Sequence, residues 1–415
     1  MKEQPASEKS MLFLTFLCCL SYFTSYLARL NYAACLIEIQ DALQIGKSQA
    51  SLPVTGCFLV YGTGQLICGF FGDKIAPNKI IFTGLLGTAI CNLLIVIFPH
   101  IAVITVLWCA NGFFQSMLWP PMVRIMAEVL DEAWYRRCSV LVSFASSLGT
   151  IMIYVLAPVC LSLWGWKTMF LAPAILGLVV AFYWVYHTRN LTERFGAAQS
   201  AKAGLDKRKE IKHGILKVFY MIPLVQILLV IALHGILKDG IITWMPAYMA
   251  DSFGMSTSMS ILTASVLPVF SIVSTLLASL LFYRIRDELR TALVLFGVSL
   301  VSAFMMILVN GKYPLGCIVL MMLITGCMYG VNLMLISRVP RHFAGLGMVS
   351  TVSGVLNAAT YAGSALSTYG FGKIAENGGW NHVISLWIGV CVSAVFLLLI
   401  SGRRWTDFVR ANKSE

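Results

Sequence analysis

Residues 29–48 read RLNYAACLIEIQDALQIGKS, and residues 238–256 read KDGIITWMPAYMADSFGMS. Each stretch begins on a cation set in an apolar run. Each then continues through apolar residues and ends in Gly-x-Ser: Gly46-Lys47-Ser48 in one, Gly254-Met255-Ser256 in the other. The offset is 209 residues at the cation and 208 at the glycine. A landmark that returns at this distance in a chain of 415 residues marks two related halves. Chains built from parallel repeats in a membrane place their ligand near the midplane, where the halves meet.

The composition supplies the membrane. The chain is 59% hydrophobic and 12% charged, with mean hydropathy +0.82. Soluble chains carry about 25% charged residues, so this much apolar surface needs lipid as its solvent. Apolar runs long enough to span a bilayer as helices, about 20 residues each, lie near 11–37, 49–71, 79–98, 101–123, 138–161, 168–187, 222–249, 258–283, 291–309, 315–336, 344–371 and 382–402. They are too long and too uniformly apolar for the alternating strands of a barrel. The expected fold is an all-α membrane protein with twelve transmembrane helices in two six-helix halves. The polar stretch 188–221 separates an N-terminal bundle, 1–187, from a C-terminal one, 222–415, and reads as a partly helical cytoplasmic linker.

The net charge of +12 reflects topology rather than a nucleic-acid partner. With both termini cytoplasmic, 24 Lys/Arg fall on that side, four fall outside (Lys47, Lys167, Lys312, Lys373) and two fall within spans (Arg29, Lys238). That is the positive-inside pattern of a multi-pass protein of the cell (inner or plasma) membrane. The twelve cysteines are scattered, without zinc or redox spacing, and read as small packing residues. The first run is too long for a signal-peptide core and reads as an uncleaved helix. No enzyme motif, cofactor or metal cluster is expected. Gly46-Lys47-Ser48 is not a phosphate loop, because Asp41 stands where that motif needs its first glycine.

Ionisable residues within the spans are costly and point to function. They are Arg29, Lys238 and Asp239, with His234 close by. Tyr22, Tyr26 and Arg29 share a face at i, i+4 and i+7, as do His234 and Lys238 at i and i+4. If the halves are symmetric, the two cations face each other across a cleft and suit an anion. Arginine offers a planar fork and lysine a mobile point charge. The other reading is internal pairing of Lys238 with Asp239, although a rotation of about 100° separates adjacent helical residues. Tyr61 and Gln65 add a polar face to the second span, and Asn111, Gln115 and Trp119 one to the fourth.

The stretches YLARLNYA (26–33), YGTGQLICGFFGDK (61–74), FFQSMLWPPMVR (113–124), LKDGIITWMPAYM (237–249) and YGVNLML (329–335) resemble the organophosphate:phosphate antiporters of the major facilitator superfamily. Gly69, Asp73, Lys74 and Lys79 match that superfamily's loop signature after the second span, where they would act as a cytoplasmic latch; Ala76 and Asn78 depart from it. The resemblance places the family's central cations on Arg29 and Lys238. It places the pocket aromatics on Tyr22, Tyr26, Tyr61, Trp119, Tyr329 and Tyr361. Lysine replaces the arginine usual at the second cation of the glycerol-3-phosphate exchanger. Gln65 replaces a lysine, and Ala145 or Ser146 stands where a histidine is central. The pocket is therefore less basic, which opens carboxylates as well as phosphate esters.

The resemblance implies a secondary active transporter of a small organic anion, working by alternating access and by antiport. One alternative is proton-coupled symport of an acidic metabolite, with Asp239 or His234 titrating; another is a transporter-like substrate sensor. The expected partners are the anion and the lipid bilayer, and the monomer is the expected functional unit.

Overall fold

The computed structural model describes residues 8–71, 75–202, 224–343 and 349–411. Among these residues the chain is helical and contains no strand. The first half holds α1 (Glu8–Ala34), α2 (Leu36–Leu43), α3 (Lys47–Phe71), α4 (Pro77–Ile97), α5 (Ile101–Ser116), α6 (Trp119–Val129), α7 (Glu132–Trp164) and α8 (Thr168–Lys202). The second holds α9 (Leu224–Phe253), α10 (Thr257–Ala264), α11 (Val266–Ile285), α12 (Glu288–Val309), α13 (Pro314–Asn332), α14 (Val349–Gly378) and α15 (Trp380–Ala411).

Among the described residues eleven spans are long and apolar enough to cross a membrane. Two of them are broken helices, α5 with α6 and α10 with α11. Proline explains both breaks. Pro120 and Pro121 sit in the first turn of α6, and Pro268 in the first turn of α11. Proline lacks an N–H and is tolerated in the first turn, where that group has no helical partner. The twelfth long helix is α14, which carries Ser353, Asn357, Thr360, Ser364, Ser367 and Thr368. It is more polar because it lies between α3 and α9 rather than against lipid. Twelve membrane helices in two halves result.

The packing repeats as the sequence does. In the first half α1 packs on α7, α3 on α5 and α4 on α8. The corresponding pairs of the second half are α9 on α14, α11 on α13 and α12 on α15. Between the halves, α3 packs on α14, and α7 on α10 and α11, the same pairing with the roles exchanged. Large apolar side chains such as Val106, Leu163, Leu308, Leu315 and Phe396 are exposed. In water such a surface would drive aggregation, whereas in lipid it is the proper exterior.

The Gly-x-Ser landmark has two different physical causes. Gly254 has φ +62, and Ser256 caps α10 by accepting from the Met259 N–H at 3.4 Å. A left-handed residue followed by a capping serine is a turn into a helix. Gly46 needs no unusual φ; a Cβ there would run into the Glu376 carboxylate.

Several helix ends lie beyond the apolar runs, among them those of α8, α14 and α15. α8 continues to Lys202, into the expected linker, and residues 203–223 lie outside the described set. α14 ends at Gly378 rather than near 371. Its last turn carries Glu376, whose Oε1 accepts from the Ser48 N–H at 3.0 Å, so a polar turn read as loop has a partner in the other half.

Candidate functional site

α1 is held by amides from its neighbours. Asn92 and Asn111 both donate to the Ala28 carbonyl, at 3.2 and 3.1 Å, and Gln115 donates to the Ser25 carbonyl at 3.0 Å. Asn31 donates to Asn92 at 2.7 Å and to the Met169 carbonyl at 2.8 Å. These bonds fix the turn of α1 that carries Arg29. Asn111 and Gln115 are buried fastenings here, a role different from the polar face read for them in the sequence.

Arg29 projects among aromatic rings. Its guanidinium carbon lies 4.1 Å from the Tyr61 ring centre, 5.6 Å from Tyr361 and 6.0 Å from Tyr26. One guanidinium nitrogen donates to the Tyr361 hydroxyl at 3.4 Å. Gln65 donates to the Tyr61 hydroxyl at 2.9 Å, which orients that ring. Tyr61 and Tyr361 meet edge to face with centroids 4.6 Å apart, and Phe58 stacks on Tyr361 at 6.0 Å. Among the described residues no carboxylate forms an ion pair with Arg29. Ring faces attract a cation through their quadrupole, but they leave its full charge in place.

Lys238 behaves differently. Its Nζ lies 3.3 Å from Asp239 Oδ1, and both side chains are largely buried. The other Asp239 oxygen accepts from the Ser364 hydroxyl of α14, and Lys238 lies over the Tyr329 ring at 5.7 Å. Of the two sequence readings, the structure draws the internal pair. Adjacent helical residues do not normally face each other; here the long lysine stem swings back, and Ser364 holds the carboxylate from the opposite helix. His234 is fully buried, and among the described residues its ring nitrogens have no well-formed hydrogen bond.

Glycines bring the helices close enough for this. A Cβ on Gly235 of α9 would strike the Thr360 carbonyl of α14, and one on Gly363 of α14 would strike the Ala232 carbonyl of α9. A Cβ on Gly62 of α3 would stand 3.0 Å from Tyr361 Cβ. Small residues allow such backbone contact between membrane helices. α14 thereby serves both clusters, offering Tyr361 to Arg29 and, one turn on, Ser364 to Asp239.

A third aromatic group lies two turns back along α1. Tyr22 contacts Tyr26 and Trp119, with ring centroids 5.2 and 5.1 Å apart. Apart from His234, and from Asn111 and Gln115 on the α1 backbone, the polar and aromatic span residues expected to line the pocket thus join the Arg29 group, the Lys238 group or this one. In the loop signature, Gly69 falls in α3 and Lys79 is exposed in the first turn of α4; Asp73 and Lys74 lie outside the described residues.

The end of the molecule opposite the chain termini is closed between the halves. Lys47 Nζ lies 2.8 Å from Asp251 Oδ2, which also accepts from the Trp380 indole at 2.8 Å. Behind them Trp380 packs edge on against Tyr248 and Trp244, at 5.4 and 6.2 Å. The sequence singled out none of these contacts as a site. Lys47 entered that reading only as part of the Gly46-Lys47-Ser48 landmark and as one of four cations expected outside.

Two repeated halves joined through Arg29 and Tyr361 have a counterpart among known proteins. The Major Facilitator Superfamily model matches residues 18–368. The chain belongs to this superfamily. Relatives of this facilitator include the glycerol-3-phosphate transporter of Bacillus subtilis, 24% identical over 94% of this chain and 91% of the relative. A probable hexose phosphate transport protein of Chlamydia trachomatis is 21% identical over 92% of this chain and 88% of its own. The membrane sensor protein UhpC of Escherichia coli is 24% identical over 57% of this chain and 56% of its own. They are the group the sequence motifs resemble. Among solved structures, a bacterial homolog of the lysosomal transporter Spinster, inward-facing and unoccupied, superposes with TM-score 0.71 at 14% identity, covering 98% of each chain. A D-xylose–proton symporter does so with TM-score 0.66 at 12% identity, over 95% of this chain and 96% of its own. At these identities the structures show the shared fold of the facilitators alone.

Proposed function

We propose that this facilitator is a secondary active transporter of small organic anions of the phosphate-ester class, moving them by alternating access and by exchange. The observation that carries the reading is Arg29, a half-buried cation that reaches Tyr361 of the other half, ringed by Tyr26, Tyr61 and Tyr361 and paired with no carboxylate among the described residues. An unpaired guanidinium in a low-dielectric site is strongly unfavourable unless an anion joins it, and its fork matches phosphate or carboxylate oxygens. Tyrosine hydroxyls and Gln65 supply further donors, and Lys238 is paired with Asp239. The names of the relatives, glycerol-3-phosphate and hexose phosphate transport proteins, support the phosphate-ester class.

The closed end supports alternating access. Lys47–Asp251 and Ser48–Glu376 both cross from one half to the other, so opening there requires breaking a few polar contacts between rigid bundles. With both termini cytoplasmic, that closed end faces outward, and the protein resides in the cell membrane. The halves are 1–187 and 222–415, joined by 188–221.

Proteoliposomes loaded with inorganic phosphate provide the test. Uptake of labelled glycerol 3-phosphate or glucose 6-phosphate that depends on the internal phosphate supports exchange. Uptake that follows a pH gradient and ignores internal phosphate establishes proton symport instead, with Asp239 as the candidate proton site. Likeness to a membrane sensor gives the sensing reading its one support; binding without flux would establish it.

A further inference from the structure

The charges of the two clusters do not add. Arg29 stands without an acidic partner among the described residues, whereas Lys238 lies 3.3 Å from Asp239. Asp239 is itself fixed on its other oxygen by Ser364, on a helix that the Gly235 and Gly363 contacts lock against α9. We propose that Asp239 is a specificity-determining residue that sets the site for a singly charged organic anion, neutralising Lys238 so that Arg29 alone presents unbalanced charge.

A doubly charged ligand could draw on Lys238 only by pulling it from Asp239. That exchange replaces one ion pair with another and leaves a carboxylate buried beside the ligand, held in place by Ser364. A buried charge stripped of its partner is strongly unfavourable, so the second ligand charge gains nothing there. Lys238 still has a proton to donate to an oxygen of the bound anion, but its charge is already balanced. The aromatic groups fit the rest of such a ligand. Tyr22 lies seven residues before Arg29 on α1, about 10 Å at helical rise. The Tyr22–Trp119 contact therefore offers ring faces to an organic body whose anionic end rests on Arg29.

This inference narrows the substrate class proposed above and rests on that reading of Arg29. The test is equilibrium binding to the purified full chain at pH 8, where a phosphate monoester carries nearly two charges. Two ligand pairs separate charge from chemistry: glycerol 3-phosphate against its methyl ester, and malate against lactate. For the wild type, the singly charged member of at least one pair is expected to bind fivefold tighter or more. Asp239→Asn is expected to reverse that order. The wild-type ratio decides the matter even if the variant does not fold, and Ser364→Ala, which loosens Asp239 without removing it, is expected to shrink the preference. Preference for the doubly charged member, or a ratio that Asp239→Asn leaves unchanged, overturns the inference. Preference for lactate with no binding of either phosphate compound overturns the phosphate-ester class and keeps the charge rule. Binding of none of the four overturns both.

Discussion

The guanidinium of Arg29 rests 4.1 Å from the centre of the Tyr61 ring, in a contact that joins the first and second membrane helices. The ring attracts the cation without neutralising it. It therefore holds Arg29 in position and leaves its charge for a ligand.

Replacing that ring tests the positioning. A cation–π contact is worth about 1 kcal/mol when partly desolvated, or roughly fivefold in affinity. Tyr61→Leu is expected to weaken anion binding by about that factor, and Tyr61→Phe by less, because Phe keeps the ring and loses only the hydroxyl held by Gln65. Equal loss in both variants would place the effect in the hydroxyl instead.

Arg29→Lys keeps the charge and removes the planar fork. Binding is expected to fall about tenfold or more, with the thermal midpoint of the detergent-solubilised protein little changed. Titration calorimetry alongside a thermal melt separates the two effects.

The amide fastenings of α1 predict a graded cost in stability. Asn92 donates to Ala28 and Thr88 and accepts from Asn31, whereas Asn111 makes the single bond to Ala28. Removing one partner of a buried hydrogen bond costs about 1–3 kcal/mol. Asn92→Ala is therefore expected to lower the thermal midpoint more than Asn111→Ala; the reverse order would mean the network is not what fixes α1.

Backbone contact between α9 and α14 gives a sharper contrast. Gly363→Ala places a methyl group against the Ala232 carbonyl, while Gly297→Ala meets none of the described residues within 4 Å. The first is expected to destabilise the protein or prevent its accumulation in the membrane, and the second to be neutral. Expression and melting of the two variants side by side check this.

At the closed end, Lys47→Glu sets like charges at Asp251 and is expected to slow transport by favouring the open end. The swap Lys47→Glu with Asp251→Lys is expected to recover part of the rate. Recovery is partial because the Trp380 indole loses its acceptor. A partly exposed pair contributes only about 0–1 kcal/mol, so the effect belongs in the transport rate rather than the melting temperature.

Much of this arrangement was legible in the chain itself. The apolar runs gave the helices, the repeat of Arg29 and Lys238 gave the two halves, and the spacing of Tyr22, Tyr26 and Arg29 gave one face. The Lys238–Asp239 pair was less legible, because a helical wheel separates adjacent residues and takes no account of a flexible lysine stem or a serine on a facing helix. Lys47, Asp251 and Glu376 were invisible as a group, since their meeting depends on how the two bundles lean together. α14 shows the converse: the sequence reads it as a span like the others, whereas its serines and threonines belong to a helix packed between α3 and α9.

The central claim is that Arg29 carries the charge of the bound anion. Equilibrium binding of glycerol 3-phosphate at pH 7 to wild type and Arg29→Gln tests it most directly. Glutamine keeps hydrogen-bonding capacity and removes the charge. The account predicts that binding falls by about a hundredfold or more while the protein remains folded; binding within about threefold of wild type would contradict it.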